Sequence, residues 1–138
     1  MCDKNQAAAP HCEALSRRQP ALRMVPLPAD LNPAGDVFGG WIMSMVDIAG
    51  SIPARRRARS RVATVAVNSF VFRQPVYVGD LVSFYAEVVA VGRTSITVDV
   101  EVFVERDPED LVALKVTEAK LTYVALDRHG DKRAVPDE

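Results

Sequence analysis

Apolar and polar positions follow two different grammars along this chain. From Gly40 to Ala54 the apolar residues recur with a helical period: Trp41, Met45, Ile48 and Ile52 share one face. Ile42, Met43, Val46 and Ala49 fill most of the remaining circumference. A helix apolar nearly all round is a buried helix, so this segment is expected to be enclosed by the rest of the chain. It is too short for a bilayer, which takes about 20 residues. From Arg61 onward the grammar changes to strands. Arg61 to Phe72 carries apolar residues on both faces, the pattern of a central, covered strand. Leu81 to Val91 is a second long strand. Arg93 to Arg106 alternates cleanly, with Ile96, Val98, Val100, Val102 and Val104 against Ser95, Thr97, Asp99 and Glu101. Leu111 to Leu126 is a fourth, and Ala21 to Leu27 is a short first strand closed by Pro26 and Pro28. The expected class is α+β: one long central helix wrapped by a curved antiparallel sheet, in which consecutive strands with short connections pair. A two-faced strand beside a lone helix also implies a partner subunit.

A single charge interrupts the helix. Asp47 falls within about 60° of Ser44 and Ser51 at ~100° per residue, a narrow polar stripe on an apolar rod. A carboxylate there must be solvated by a cleft, paired or protonated. A structural aspartate held by serines or backbone, and a catalytic acid or base at the bottom of a cleft, both satisfy that requirement. The approach to the helix adds to the picture. Asn32, Pro33, Gly35, Asp36, Gly39 and Gly40 form a turn-rich entry, and the first turn of a helix offers free N–H groups at its positive dipole end. That is a place for a developing oxyanion. Nucleotide loops are not indicated, because GxxxxGK[ST] is absent and no strand clearly leads into a GxGxxG. At the other end Pro53 marks the helix boundary or disrupts its last turn. Arg55, Arg56, Arg57, Arg59 and Arg61 follow as cations suited to a helix C-terminus, chiefly solvated.

Composition narrows the classes. The chain has 138 residues, 49% apolar and 25% charged, which points to one domain. Residues 1–20 are expected to be a flexible tail and 21–138 the folded domain. A net charge of −1 argues against nucleic-acid binding through bulk charge. Cys2 and Cys12 lie in the tail and fit neither a disulfide framework nor a zinc site, so a reducing, cytoplasmic setting is expected. The N-terminus lacks the apolar run of a secretion signal, and no membrane association is expected. His11 and His129 lie in tail or turn regions, which leaves no Ser-His or Cys-His system and no cluster of metal ligands.

The run Asn32-x-x-Gly35-Asp36-x-Phe38-Gly39-Gly40-Trp41-Ile42-Met43-Ser44-x-x-Asp47 resembles the hotdog-fold acyl-CoA thioesterases, in their YciA-like branch. Arg61-Val62-x-Thr64-Val65, Pro75-Val76-x-Val78-Gly79-Asp80, Val91-Gly92-Arg93-Thr94-Ser95-Ile96 and Thr122-Tyr123-Val124-Ala125 extend the resemblance in the same order along the chain. Pro53 and the arginines after it depart from the branch's pattern. The resemblance implies the hotdog fold and hydrolysis of acyl-CoA to free CoA and a carboxylic acid. It implies Asp47 as the catalytic carboxylate, acting as general base or nucleophile, Asn32 orienting water, and the Gly40 N–H as oxyanion donor beside Gly39. It also implies sites shared between the subunits of a dimer, and dimers that commonly assemble into hexamers. Arg93, Thr94 and Ser95 are the expected contacts to the CoA phosphates, and Thr64 the expected lining of the pantetheine channel. No cofactor is expected, since CoA belongs to substrate and product. A hotdog hydratase and a non-catalytic acyl-CoA-binding protein are the alternatives; the first usually needs a His beside the Asp, and none lies in this helix region.

Overall fold

The computed structural model describes residues 18–138 and comprises β1 (Leu22–Met24), a 3-10 turn (Pro28–Asp30), α1 (Gly39–Ala58), β2 (Arg61–Phe72), β3 (Leu81–Val91), β4 (Ser95–Asp107) and β5 (Asp110–Leu126). The strands form one antiparallel sheet in the order β1-β3-β4-β5-β2. The cleanly alternating strand, β4, lies at its centre. Ile96, Val98, Val100, Val102 and Val104 are fully buried, while Ser95, Thr97, Asp99 and Glu101 face partly to solvent. The period-two pattern therefore translates directly into one face under the helix and one face wet. Charges of opposite sign pair there: Lys115 on β5 bridges Glu101 on β4 at 3.0 Å and Glu118 on its own strand at 2.8 Å, and Arg73, just past β2, pairs with Glu118.

The sheet differs from the expected order in one respect. β3–β4 and β4–β5 pair as consecutive strands, but β2 pairs with β5 and not with β3. Residues 73–80 carry the chain from one side of the sheet to the other. β2, whose two-faced apolar pattern suggested a central strand, is therefore an edge strand. Val65 is 53% exposed and Val67 49%, and the outer edge of β2 has no partner strand among the described residues. Two register shifts, between Thr64 and Ala66 and between Val67 and Ser69, bulge the strand where it passes the middle of the helix.

Helix α1 is also longer and less enclosed than its pattern suggested. It continues through Pro53 to Ala58. Proline removes the N–H that would bond the Ala49 carbonyl, yet Ala54 and Ala58 beyond it are fully buried against the sheet. Tertiary burial thus carries the helix past a local breaker. The buried face is Ile42, Val46, Ala49, Gly50, Ala54 and Ala58, not the face of Trp41, Met45, Ile48 and Ile52. Trp41 and Met45 pack at the margin of the core, and Ile48 is 49% exposed. The small residues win the inner face because they bring the helix axis close to the sheet. A Cβ on Gly50 would collide with the Tyr123 hydroxyl. The helix ends on Arg59, held in the left-handed region at φ 53° with its N–H donating to the Arg55 carbonyl at 2.9 Å.

Both ends of the described residues are tied to the folded body. Residues 18–20 belong to the folded body: Arg18 donates to Glu101 at 3.1 Å and lies 4.7 Å from the Tyr85 ring centroid. The rest of the expected tail, with Cys2, His11 and Cys12, lies outside the described residues. At the C-terminus Arg57 donates to the Pro136 carbonyl, so of the expected solvated run Arg55 and Arg56 are exposed and Arg57 is a tether.

The crossover at 73–80 is locked by a half-buried ion pair. Asp80, 1% exposed, accepts from Arg106 Nε and Nη2 at 3.0 Å each and from the Tyr77 N–H at 2.9 Å. Arg106 also donates to the Pro75 carbonyl at 3.1 Å and stacks 4.5 Å over the Tyr77 ring. Asp80→Ala leaves a cation and an N–H without their acceptor, and we expect it to lower stability by about 2–4 kcal/mol. Urea denaturation checks this; an unchanged midpoint would show that the clamp is dispensable.

Candidate active site

The helical turn that carries the carboxylate is held from two neighbouring strands. Asp47 Oδ1 accepts a hydrogen bond from the Thr64 hydroxyl on β2 at 2.5 Å, and the Asp47 backbone carbonyl accepts one from the Tyr123 hydroxyl on β5 at 2.8 Å. Thr64 and Tyr123 are direct partners in the sheet register, so one rung of the ladder grips one turn of the helix. Gly50 makes this grip possible by leaving room for the Tyr123 ring end. Burial, reinforced by the negative charge of Asp47, pushes the Tyr123 phenol well above its ordinary range. It therefore remains a protonated donor through the neutral range. Asp47 itself is half-buried, and no cation pairs with it among the described residues.

The serines of the expected polar stripe do not take part. Ser44 donates to the Trp41 carbonyl at 2.8 Å and Ser51 to the Ile48 carbonyl at 2.6 Å, each closing on its own helix. Thr64, expected as channel lining, donates to the carboxylate. Tyr123 and Gly50 were not singled out as functional by sequence reasoning. The available signal was the phenol of Tyr123 on an inward-facing strand position, which needs a hydrogen-bond partner when buried.

At the start of α1 the geometry is different. Phe38, the N-cap, supplies no side-chain acceptor, so the N–H groups of Gly39 and Gly40 keep the open donors of a first helical turn. The two glycines have separate reasons. A Cβ on Gly39 would approach Phe72 Cζ to 3.2 Å, whereas a Cβ on Gly40 would meet nothing within 4 Å. Gly39 is therefore needed for packing, and Gly40 faces open space on its Cβ side. Beside them is a cleft of about 350 Å³ lined by Asn32, Gly39, Phe72, Pro75 and Val76 among others. Asn32 is fixed in it by its own loop. Its Oδ1 accepts from the N–H of Ala34 at 2.9 Å and of Asp36 at 3.1 Å, which leaves the amide Nδ2 as the group it offers to a ligand. The Val37 N–H donates to the Val76 carbonyl at 2.8 Å and joins this loop to the crossover.

The expected site residues thus fall into separate groups. Asn32, Gly39 and Gly40 gather at the start of α1. Asp47 and Thr64 lie two helical turns along, roughly 10 Å down the axis at ~1.5 Å per residue. Arg93 and Thr94 occupy the turn before β4, not its first residues, and Ser95 begins the strand. This turn belongs to the Asp47 end: Ser95 pairs with Val124, and Ile96 pairs with Tyr123, whose hydroxyl grips Asp47's turn. Among the described residues no group of His, Cys, Asp and Glu is arranged to hold a metal ion. None of the helices there is long and apolar enough to cross a membrane.

A single long helix laid across an open antiparallel sheet, with a carboxylate at mid-helix and bare amides at its start, defines a hotdog-fold protein. The model of the thioesterase superfamily matches residues 34–110. The acyl-CoA thioester hydrolase YciA of Escherichia coli K12 is 45% identical over 119 residues, covering 85% of this chain and 90% of its own. Among solved structures, Cj0915, a hexameric hotdog-fold thioesterase of Campylobacter jejuni, superposes with a TM-score of 0.82 at 45% identity, covering 86% of this chain and 91% of its own. An aspartate-to-alanine variant of HI0827, a hexameric broad-specificity acyl-coenzyme A thioesterase, gives 0.83 at 43%, covering 87% of this chain and 88% of its own. The chain belongs to the thioesterase superfamily, among its YciA-like members.

Proposed function

We propose that this chain is an acyl-CoA thioesterase that hydrolyses its substrate at sites shared between two subunits. The observation that carries this reading is a carboxylate without a counter-cation among the described residues, oriented by Thr64 on a helical turn held by Tyr123, on the same helix as two uncapped glycine amides. The naming of YciA and HI0827 as acyl-CoA thioester hydrolases supports the substrate class. In the proposed step the thioester oxygen lies against the Gly40 N–H, aided by Gly39, where the positive helix end steadies the tetrahedral oxyanion. Removing one such donor in comparable sites costs about 3 kcal/mol of transition-state stabilisation. Asp47 takes the proton of the attacking water, and Asn32 orients that water through Nδ2. The new C–O bond forms, the C–S bond breaks, and the proton held by Asp47 passes to the departing CoA thiolate. Attack by Asp47 itself, through an anhydride, balances equally well and uses the same residues.

Asp47 and the Gly40 amide of one chain are too far apart to meet at one carbonyl. A second copy packed with its helix antiparallel brings its own Asp47 to that carbonyl. The surface around Asp47 suits such a copy: Met43 and Ile48 on α1 and Val65 and Val67 on β2 are exposed beside a strand edge that has no partner among the described residues. We place the dimers in a hexamer, as in Cj0915 and HI0827, which are named as hexameric. Sedimentation at micromolar concentration is expected to show no 15.1 kDa species as the main component, and a sole species of that mass would overturn the shared site.

Release of free thiol from acyl-CoAs of short to long chain, followed with a thiol reagent, tests the reaction. A hydratase or a non-catalytic binder releases none, so absence of thiol across the whole range would overturn the reading.

A further inference from the structure

One large apolar side chain stands against the helix start and is left half in water. Phe72 is the last residue of β2 and the register partner of Thr117, which is fully buried, so its side chain points to the helix side of the sheet. There the tip of its ring meets α1. A Cβ on Gly39 would lie 3.2 Å from Cζ and 3.6 and 3.8 Å from the two Cε atoms. Phe72 nevertheless remains 49% exposed, so core packing does not account for a full ring at this position. The ring is held in place from two sides. Phe70 braces it at 4.9 Å between centroids. The N–H groups of Arg73 and Gln74 both donate to the Val116 carbonyl, at 2.7 and 3.4 Å, which fixes the backbone just past it.

The ring forms one wall of the cleft of about 350 Å³ at the start of α1. The buried residues of that cleft, Val37, Ile42 and Val76, are all apolar. The Val37 N–H is already bonded to the Val76 carbonyl, so that pair makes no demand on a ligand. A pantetheine arm carries amides that need partners when buried, whereas a hydrocarbon chain needs none. The buried part of the cleft therefore suits the acyl side of a thioester. Its volume is near the lower end for ligand pockets, where the space taken by one aromatic ring decides what fits.

We infer that Phe72 is a specificity-determining residue: with the thioester carbonyl at the Gly40 N–H, the acyl chain enters this cleft and the ring sets the length it accepts. This rests on the thioesterase reading above and adds a length limit to it. Thiol release from acyl-CoAs of short, medium and long chain tests it, with melting curves and sedimentation alongside. Phe72→Ala is expected to move the optimum to longer chains, raising kcat/KM for long over short chains by ~10-fold or more, because each methylene newly accommodated in an apolar pocket adds to discrimination. Phe72→Leu is expected to move it the same way by less, and Phe72→Trp to move it to shorter chains. Val71→Thr, on the opposite face of β2 in the wall of a different cleft, is expected to leave the profile unchanged. A profile unaltered in Phe72→Ala overturns the inference, and so does an equal loss at every length. Loss of assembly in both Phe72→Ala and Phe72→Leu would make the ring a subunit contact and overturn it as well. Were the thioesterase reading wrong, the wild type would release no thiol at any length. Calorimetry with the intact acyl-CoAs then reads the same limit: a length optimum in Kd that moves in Phe72→Ala supports it, and affinity independent of length overturns it.

Discussion

Asp47→Asn is expected to fold, assemble and bind CoA, and to lose on the order of 10²-fold or more in kcat. The amide keeps the size of the carboxylate, and its oxygen still accepts from Thr64. The second anchor survives as well, because Tyr123 donates to the backbone carbonyl of residue 47 and not to its side chain. What is removed is the ability to take a proton from water or to attack the thioester. The loss therefore falls on kcat with little change in KM, the signature of an interaction made in the transition state. Stopped-flow or steady-state thiol release with a saturating acyl-CoA measures it, alongside a melting curve and sedimentation. Turnover near that of the wild type would remove Asp47 from the chemistry and leave it a structural cap between α1 and the sheet.

Asp47 was legible because a charge on an apolar helix has to be explained by something. Its partners were not. Thr64 lies 17 residues away in the sequence and Tyr123 76 away, and no local pattern ties a hydroxyl on one strand to a particular helical turn. The same contrast runs through the fold. β4 and the pairing of its neighbours could be read from alternation, since one of its faces meets the core and the other meets water. The helix and β2 misled in opposite ways for one cause. Each carries apolar residues toward two destinations: Val46 and Ala49 toward this chain's core, and Ile48, Val65 and Val67 outward. Hydrophobicity records that a position leaves water without recording what covers it. An enclosed helix, a central strand and a subunit interface therefore write the same pattern. Pro53 misled through local propensity, which the burial of Ala54 and Ala58 overrides. The run of arginines on the helix end drew attention to Arg55 and Arg56, which face solvent.

Asn32→Ala and Asp47→Asn, each nearly inactive alone, are expected to regain part of the wild-type rate when mixed and allowed to exchange subunits. Asn32 lines the cleft beside Gly39, and Asp47 is absent from that lining, two turns along the same helix. If each site takes its asparagine and helix start from one chain and its aspartate from the other, every pure variant has two damaged sites. A hybrid dimer has one site carrying both substitutions and one carrying neither. With random exchange of equal amounts, half of the dimers are hybrids, and one of the two sites in each is intact, so about a quarter of the wild-type activity returns. Asn32→Ala also removes the acceptor for the N–H groups of Ala34 and Asp36. Its loop therefore has to be checked separately, by Asn32→Asp, which keeps that acceptor and discards the Nδ2 donors. Low activity in Asn32→Asp with normal melting assigns the defect to the lost donor rather than to a collapsed turn. Mixed samples that stay inactive after verified exchange would place both residues in the site of a single chain, and the antiparallel arrangement of helices would then have to be abandoned.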